Sequence, residues 1–553
     1  MIKKHLSNIT TVSISLCFLC GFYTNANAQE LSAFSIDSLG SKYINWYNMS
    51  PVKDKIQGVE VNRAYNELLI NKKPKKTIVV AVIDSGIDID HVDLKGRIWT
   101  NKKEIPSNGI DDDQNGYIDD VHGWNFLGNS KGMNILEENK ESTRILRELG
   151  SVYDKINSPD NLTEAQKKEY ELYKSAYKSY NEDVEKYKLE LSSIEGFERD
   201  FANTDEFLIN YLGKVNYTID DVQRIESKDP RLMNLRDKMI QLFRSGYSKE
   251  NLKKAKETLN MYLDKHYNLS YNPRINIISD NIKNINDKNY GNNNVKGPQS
   301  YHGTAVSGII AGVRNNGIGV DGIADSVQIM VLRAVPDGDE LDKDIALAIR
   351  YAVDNGANII NMSFGKDFSP QKEFIDDAVK YAEDHNVLIV HAAGNDGKNI
   401  DINNNYPTNT LNDGTLINSW ITVGASSIKL NKKICGNFSN YGKDKVDLFA
   451  LGVDMILLYP GNKYSKMDGT SFAGPVVSGV SALIWSYYPE LSAVELKEII
   501  LQSCSFYPKL KVNTPSKGKR SRKVEFATLS KSGGIVNVFS ALNFAENKVT
   551  KKL

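Results

Sequence analysis

Cysteine is scarce and unevenly placed: of the four in 553 residues, Cys17 and Cys20 lie in an N-terminal apolar stretch and only Cys435 and Cys504 fall beyond it. That excludes a disulfide framework, and leaves the last two either to pair in an oxidising compartment or to sit as buried free thiols. Neither sign of charge is in excess, because 69 Lys and Arg meet 69 Asp and Glu. Nothing in that balance favours a nucleic-acid backbone or an acidic membrane surface. Proline is limited to 15 residues, while 41% of the chain is hydrophobic and 25% charged, the make-up of a globular protein with a buried core. Zinc finds no support, since there is neither a His-Glu-x-x-His motif nor a paired cysteine cluster.

Long apolar runs are also missing after the N-terminus, where none approaches the roughly 20 residues that span a bilayer. Residues 1–28 read as a secretory signal: Lys3 and Lys4, an apolar run from Val12 to Tyr23, and Ala26-Asn27-Ala28 before Gln29 as a small-residue cleavage site. Leu16 and Leu19 precede the two cysteines of that segment where a lipid-modified cysteine usually follows a small residue, so no stable membrane anchor is expected. The mature chain is predicted to begin at Gln29, to be exported to the periplasm or the outside, and to act as a monomer.

What is present is an alternation of short β-branched runs and amphipathic stretches over 77–130 and 291–545. Strands are predicted at Thr77–Ile83, Gln328–Val335, Asn358–Phe364, Val387–Ala393, Trp420–Ala425 and Lys445–Ala450. Helices are predicted at Leu341–Asn355, Gln371–His385 and Ser471–Tyr488. This order implies an α/β fold with a mostly parallel sheet and helices on both faces, where chemistry gathers at the carboxyl ends of strands. Residues 29–76 form an N-terminal arm and 546–553 a tail.

Residues 131–290 differ, being rich in Lys, Glu, Asn and Tyr with helical periodicity. Thr163 and Gln166 make a capping-box signature. Beyond them Tyr170, Tyr173, Tyr177, Tyr180, Val184, Tyr187, Leu191 and Ile194 alternate spacings of three and four, as on a helix lying along a partner. The segment reads as an inserted helical subdomain, either a solvated stabilising hairpin or a lid or docking surface.

Four short motifs carry chemistry. The first strand delivers Asp84 into Asp84-Ser85-Gly86-Ile87-Asp88; a carboxylate there suits holding another polar group, though a turn-forming Asp is common. Tyr301-His302-Gly303-Thr304 sets a histidine at the start of a helix whose small residues permit close packing. Ser471 opens an apolar helix, where free backbone N–H groups favour a developing oxyanion, although N-cap serines are ordinary. Asn395, in Ala393-Gly394-Asn395-Asp396, offers an amide with few bulky neighbours. His391, inside a strand, is expected to be a core residue.

Together the Asp84, His302, Asn395 and Ser471 motifs resemble those of the subtilisin-like serine peptidases, the subtilases, over 77–130, 297–505 and a closing segment at Gly533–Asn537. The resemblance implies peptide-bond hydrolysis through an acyl-enzyme: Ser471 as nucleophile, His302 as general base, Asp84 orienting the imidazole, and Asn395 with the Ser471 N–H holding the oxyanion. It implies that Ser363, Phe364 and Gly365 pair with an extended polypeptide substrate of broad sequence. Phe364 and Tyr406-Pro407-Thr408 resemble parts of a side-chain pocket that takes apolar or aromatic groups. A fluorophosphonate probe separates this reading from a catalytically silent binding protein.

Calcium is the expected cofactor, structural and not catalytic. Asp111, Asp113, Asn115 and Asp119 set oxygen side chains at alternate positions around Gly116, although His122 stands where an EF-hand loop has a bidentate Glu. A polar Asx-rich turn is the other reading, and a second family-like site could join Asp93 to Asn316–Val320 through backbone carbonyls. The chain departs from the family in the 218 positions separating Asp84 from His302, which the helical insert accounts for. The insert is therefore expected to emerge near the substrate cleft.

Overall fold

The computed structural model describes residues 44–244, 249–518 and 521–552. The signal sequence read at 1–28 and the first part of the N-terminal arm lie outside the described residues. The β-branched run before Asp84 forms strand β1 (Ile78–Asp84), followed by β2 (Gly123–Asn125), β3 (Val327–Arg333), β4 (Ile359–Met362), β5 (Leu388–Ala392), β6 (Trp420–Ser426) and β7 (Leu448–Leu451). Two short strands, Ser505–Phe506 and Gly534–Ile535, complete a nine-stranded sheet whose order continues β7-β6-β5-β4-β1-β3-β2. All its pairings are parallel except that between the two short strands. A smaller antiparallel pair, Met455–Tyr459 with Lys463–Met467, lay outside the expected elements.

Helices cover both faces, as the near-continuous apolar strands require. Val80 and Val82 pack with the helices Tyr301–Ala311 and Thr470–Tyr487 on one face. Ala81 and Ile83 pack with the helices Asp342–Asp354 and Lys372–Asp384 on the other. Side chains alternate along a strand, so Asp84, in step with Val80 and Val82, belongs to the face bearing the first two helices. The pleat has thereby aimed the carboxylate. Cys435 and Cys504 are buried free thiols, and burial pushes the Cys504 thiol up to about 12.

The chain divides into two compact units, one of which is Ser142–Tyr271, narrower than the 131–290 expected. The flanks 131–141 and 272–290 belong with the sheet. Inside the helical unit the capping box at Thr163 and Gln166 opens a helix of 49 residues, Glu164–Leu212, about 70 Å long at 1.5 Å per residue. Its apolar stripe is partnered: Ile194, Leu252 and Leu259 form one small core with Tyr187, Leu191 and Tyr262, and Leu208, Leu232, Met239 and Leu242 form another. Tyr177, by contrast, is 46% exposed, so the tyrosine stripe is only partly covered.

Candidate active site

At the carboxyl end of β1, Asp84 is buried and its carboxylate faces His302 in the first turn of the helix Tyr301–Ala311. The imidazole Nδ1 lies 2.8 and 2.9 Å from the two Asp84 oxygens, and the Ser85 N–H donates to Oδ1 at 2.7 Å. Gly303 makes this approach possible, because a Cβ there would come within 2.3 Å of the Gly86 carbonyl oxygen. Burial pushes the His302 imidazole down, but the Asp84 charge and hydrogen bond raise it further, and the net shift is upward. The His302 ring centroid is 5.5 Å from that of Phe472, the residue after Ser471, so the imidazole stands beside the start of the serine helix.

Ser471 and Ser363 are locked together by reciprocal bonds. Pro475 sits inside the helix Thr470–Tyr487 four residues after Ser471 and has no N–H to give the Ser471 carbonyl. The Ser363 hydroxyl supplies that missing donor at 2.8 Å, while the Ser471 hydroxyl donates to the Ser363 carbonyl at 3.0 Å. Ser363 is held in turn by Asn361 Nδ2 at 2.9 Å, whose Oδ1 accepts from Ser478 on the same helix. The Ser471 hydroxyl therefore donates to Ser363, and among the described residues it makes no hydrogen bond with His302.

Asn395 is oriented by a partner the sequence reading missed. Thr470 donates to Asn395 Oδ1 through both its N–H and its hydroxyl, each at 2.9 Å, and its hydroxyl accepts from the Gly394 N–H at 3.1 Å. The carbonyl end of Asn395 is thus engaged, and among the described residues its Nδ2 group meets no acceptor. The Ser471 N–H, in the first turn of its helix, likewise has no acceptor among the described residues. Two donors thus stand ready for an anion.

Beyond β4 the edge Ser363-Phe364-Gly365 is open at Gly365, whose N–H and C=O have no partner among the described residues. The Phe364 carbonyl accepts from His391 Nε2 at 2.9 Å. His391 is buried as expected, and burial pushes its pKa down to about 4, so the neutral ring serves as a donor. Asn405 is a second residue missed: a Cβ on Gly365 would lie 2.8 Å from its Oδ1, and one on Gly394 3.1 Å, so its amide fills the gap between those segments. Thr408 lines a small cavity with His391, Asn405 and Pro407.

The acidic loop differs from its expected ligand set. Carboxylate oxygens of Glu104, Asp111 and Asp113 lie within 4.8 Å of one another, and Glu104 was not anticipated. Asp119 instead accepts from the Asn108 and Gly109 amides at 3.1 and 2.9 Å, while Asn115 Nδ2 donates to Asp120 at 3.0 Å. Asp93 does meet the loop 316–320, but through donors: Asn316 Nδ2 and the Val320 N–H, each at 3.1 Å, with the Tyr464 hydroxyl at 2.9 Å. Both oxygens of that carboxylate thus accept hydrogen bonds.

The fold and these groupings have counterparts among known proteins. The chain is 36% identical over 203 residues to a thermophilic serine proteinase of Bacillus sp. (strain AK1), an alignment covering 36% of this chain and 46% of that protein. It is 34% identical to the major intracellular serine protease of Bacillus subtilis (strain 168), covering 39% and 65% of the two chains. It is also 34% identical to subtilisin BL of Lederbergia lenta, covering 35% and 67%. The chain thus spans about half to two thirds of the length of these relatives. The model of the subtilase family matches residues 75–531, which hold every strand of the main sheet except part of its short outer pair and all four motifs, and on that match the chain belongs to the subtilase family.

Proposed function

We propose that this chain is a serine endopeptidase that hydrolyses peptide bonds through an acyl-enzyme on Ser471. The observation that carries the reading is the His302 imidazole gripped by the buried Asp84 carboxylate beside the N-terminus of the Ser471 helix. A rotation of Ser471 about χ1 would release its hydroxyl from the Ser363 carbonyl toward His302 Nε2; such bonds often form only once substrate is bound. His302 then takes the hydroxyl proton as Ser471 attacks and returns it to the leaving amine, with Asp84 stabilising the charged ring. Asn395 Nδ2 and the Ser471 N–H receive the oxyanion. The open Gly365 edge pairs with the backbone of an extended peptide, which suits many sequences, and Asn405 adds a polar group beside the expected apolar or aromatic pocket.

Export through residues 1–28 to the periplasm or the outside is part of the same proposal; no described helix is long and apolar enough to cross a membrane. Structural calcium fits the oxygen-only set of Glu104, Asp111 and Asp113. Burial, with Asp120 and Asp113 nearby, pushes the Glu104 carboxyl up, a charge crowding that a cation would relieve. Such an ion would brace the loop and take no part in the chemistry, so a chelator should lower Tm.

The test is fluorophosphonate labelling with mass spectrometry. The probe should modify Ser471 in the native chain and leave Ser471→Ala unmodified. Peptides released from a denatured protein mixture should report side-chain preference. An unlabelled native chain that cleaves nothing would favour the silent binding protein.

A further inference from the structure

Three consecutive residues at the start of the helix Asp342–Asp354 are charged and almost wholly buried: Asp342, Lys343 and Asp344. Such residues face water unless each finds a partner. Here each does: Lys343 and Asp344 find theirs in the stretch 272–290 that follows Ser142–Tyr271, and Asp342 meets Lys366, which also holds Glu141 just before that unit. Asp344 takes the Arg274 guanidinium in a fork at 2.7 and 2.8 Å, together with the Tyr290 hydroxyl. Lys343 reaches Asp280 at 2.6 Å, and Asp280 also grips Arg274 at 2.6 and 2.8 Å. Asp342 lies 2.9 Å from the Lys366 ammonium, which also donates to Glu141 at 2.6 Å and to the Glu340 carbonyl at 2.8 Å.

Lys366 directly follows the open edge at Gly365. Its backbone is fixed on one side by exchange with Tyr406, N–H to carbonyl at 3.0 and 2.8 Å. Its ammonium is fixed on the other by Glu141, the residue that immediately precedes Ser142. We propose that Lys366 is a positioning residue for extended peptides. Its pairing with Glu141 and Asp342 sets the place of the Gly365 end of that edge, so peptide binding depends on where the chain leaves for the helical unit. The inference rests on the endopeptidase reading above.

The physical reason is local. The buried Lys366 ammonium bonds Glu141 and Asp342 at once and draws the strand end toward them. Replacing it with an apolar side chain removes the contact common to both buried carboxylates, and the segment behind Gly365 must shift or admit water. Ser363 is held in place by Asn361 and the Ser471 helix, so the shift falls at Gly365, and a small ester that makes no edge pairing should register little of it.

The experiment compares the full chain with Lys366→Met and Glu141→Gln, using fluorophosphonate labelling of Ser471 and steady-state kinetics on a chromogenic tetrapeptide and a minimal acyl ester. For Lys366→Met, KM on the tetrapeptide should rise about tenfold or more while kcat on the ester stays within about twofold. Glu141→Gln keeps the Lys366–Asp342 pair and should show the same split at smaller size; it carries the test alone if the first variant does not fold. Labelled, folded variants whose KM rises equally on both substrates, or on neither, would overturn the positioning role and leave the hydrolase reading intact. A native chain that is neither labelled nor active would overturn both.

Discussion

The most exposed charge pairs of the helical unit and the driest of the sheet unit behave in opposite ways. In the helical unit, Lys178–Glu182 and Lys253–Glu257 lie along helix surfaces with every side chain at least 63% exposed. In the sheet unit, Arg274–Asp344, Lys343–Asp280 and Lys366–Glu141 have side chains no more than 5% exposed. Water screens the first kind, so each pair contributes little and can be lost singly. The second kind has no water to replace a missing partner, so each ion holds the others to one geometry. A surface that keeps its charges wet tolerates change, whereas an interior that has dried them is specific and brittle.

That contrast can be broken or sharpened by substitution. The largest effect is expected at the Asp84–His302 pair of the active site. Asp84→Asn should lower turnover on any substrate by about 10⁴, a magnitude carried over from another triad protease. In the parent, kcat/KM should rise with pH through a midpoint above the ordinary histidine value of about 6.5, because the base works neutral and Asp84 raises it. In Asp84→Asn the remaining influence is burial, which lowers the imidazole, so the midpoint should move down; an unmoved midpoint would break the account of His302.

Arg274→Met leaves Asp344 and Asp280 buried with one cation fewer and should cost about 3–5 kcal/mol, read by urea unfolding. Asn395→Ala removes an uncharged donor and should lower kcat by about 10²–10³, a size carried over from subtilisin, and by leaving the buried Thr470 donors without their acceptor should cost about 1–3 kcal/mol in urea unfolding. At the small end, Lys253→Ala in the helical unit should change stability by less than about 0.5 kcal/mol. A loss there matching that at Arg274 would erase the distinction between the units.

The residues that carry chemistry were legible because each sits in a short local pattern. An apolar run ending in Asp84, a small-residue helix opening at His302 and a glycine before the Ser471 helix are all readable within a dozen positions. Strand and helix limits fell within one to three residues of expectation for the same reason. What escaped reading was pairing at a distance. Glu104 lies outside the alternating loop that suggested the cation ligands, while Asp119 accepts from the Asn108 and Gly109 amides and Asn115 from that of Tyr117. Lys366 and Arg274 have the composition of surface residues, and nothing local says that both are buried.

Sequence alone determined the fold class and the order of the motifs, because hydrophobic period is a property of neighbouring residues. Only the tertiary structure decided which way the Ser471 hydroxyl faces, which end of Asn395 is engaged and which charges are dry. Those outcomes depend on groups up to 225 positions apart, as between Glu141 and Lys366, that meet only when the chain has closed around them.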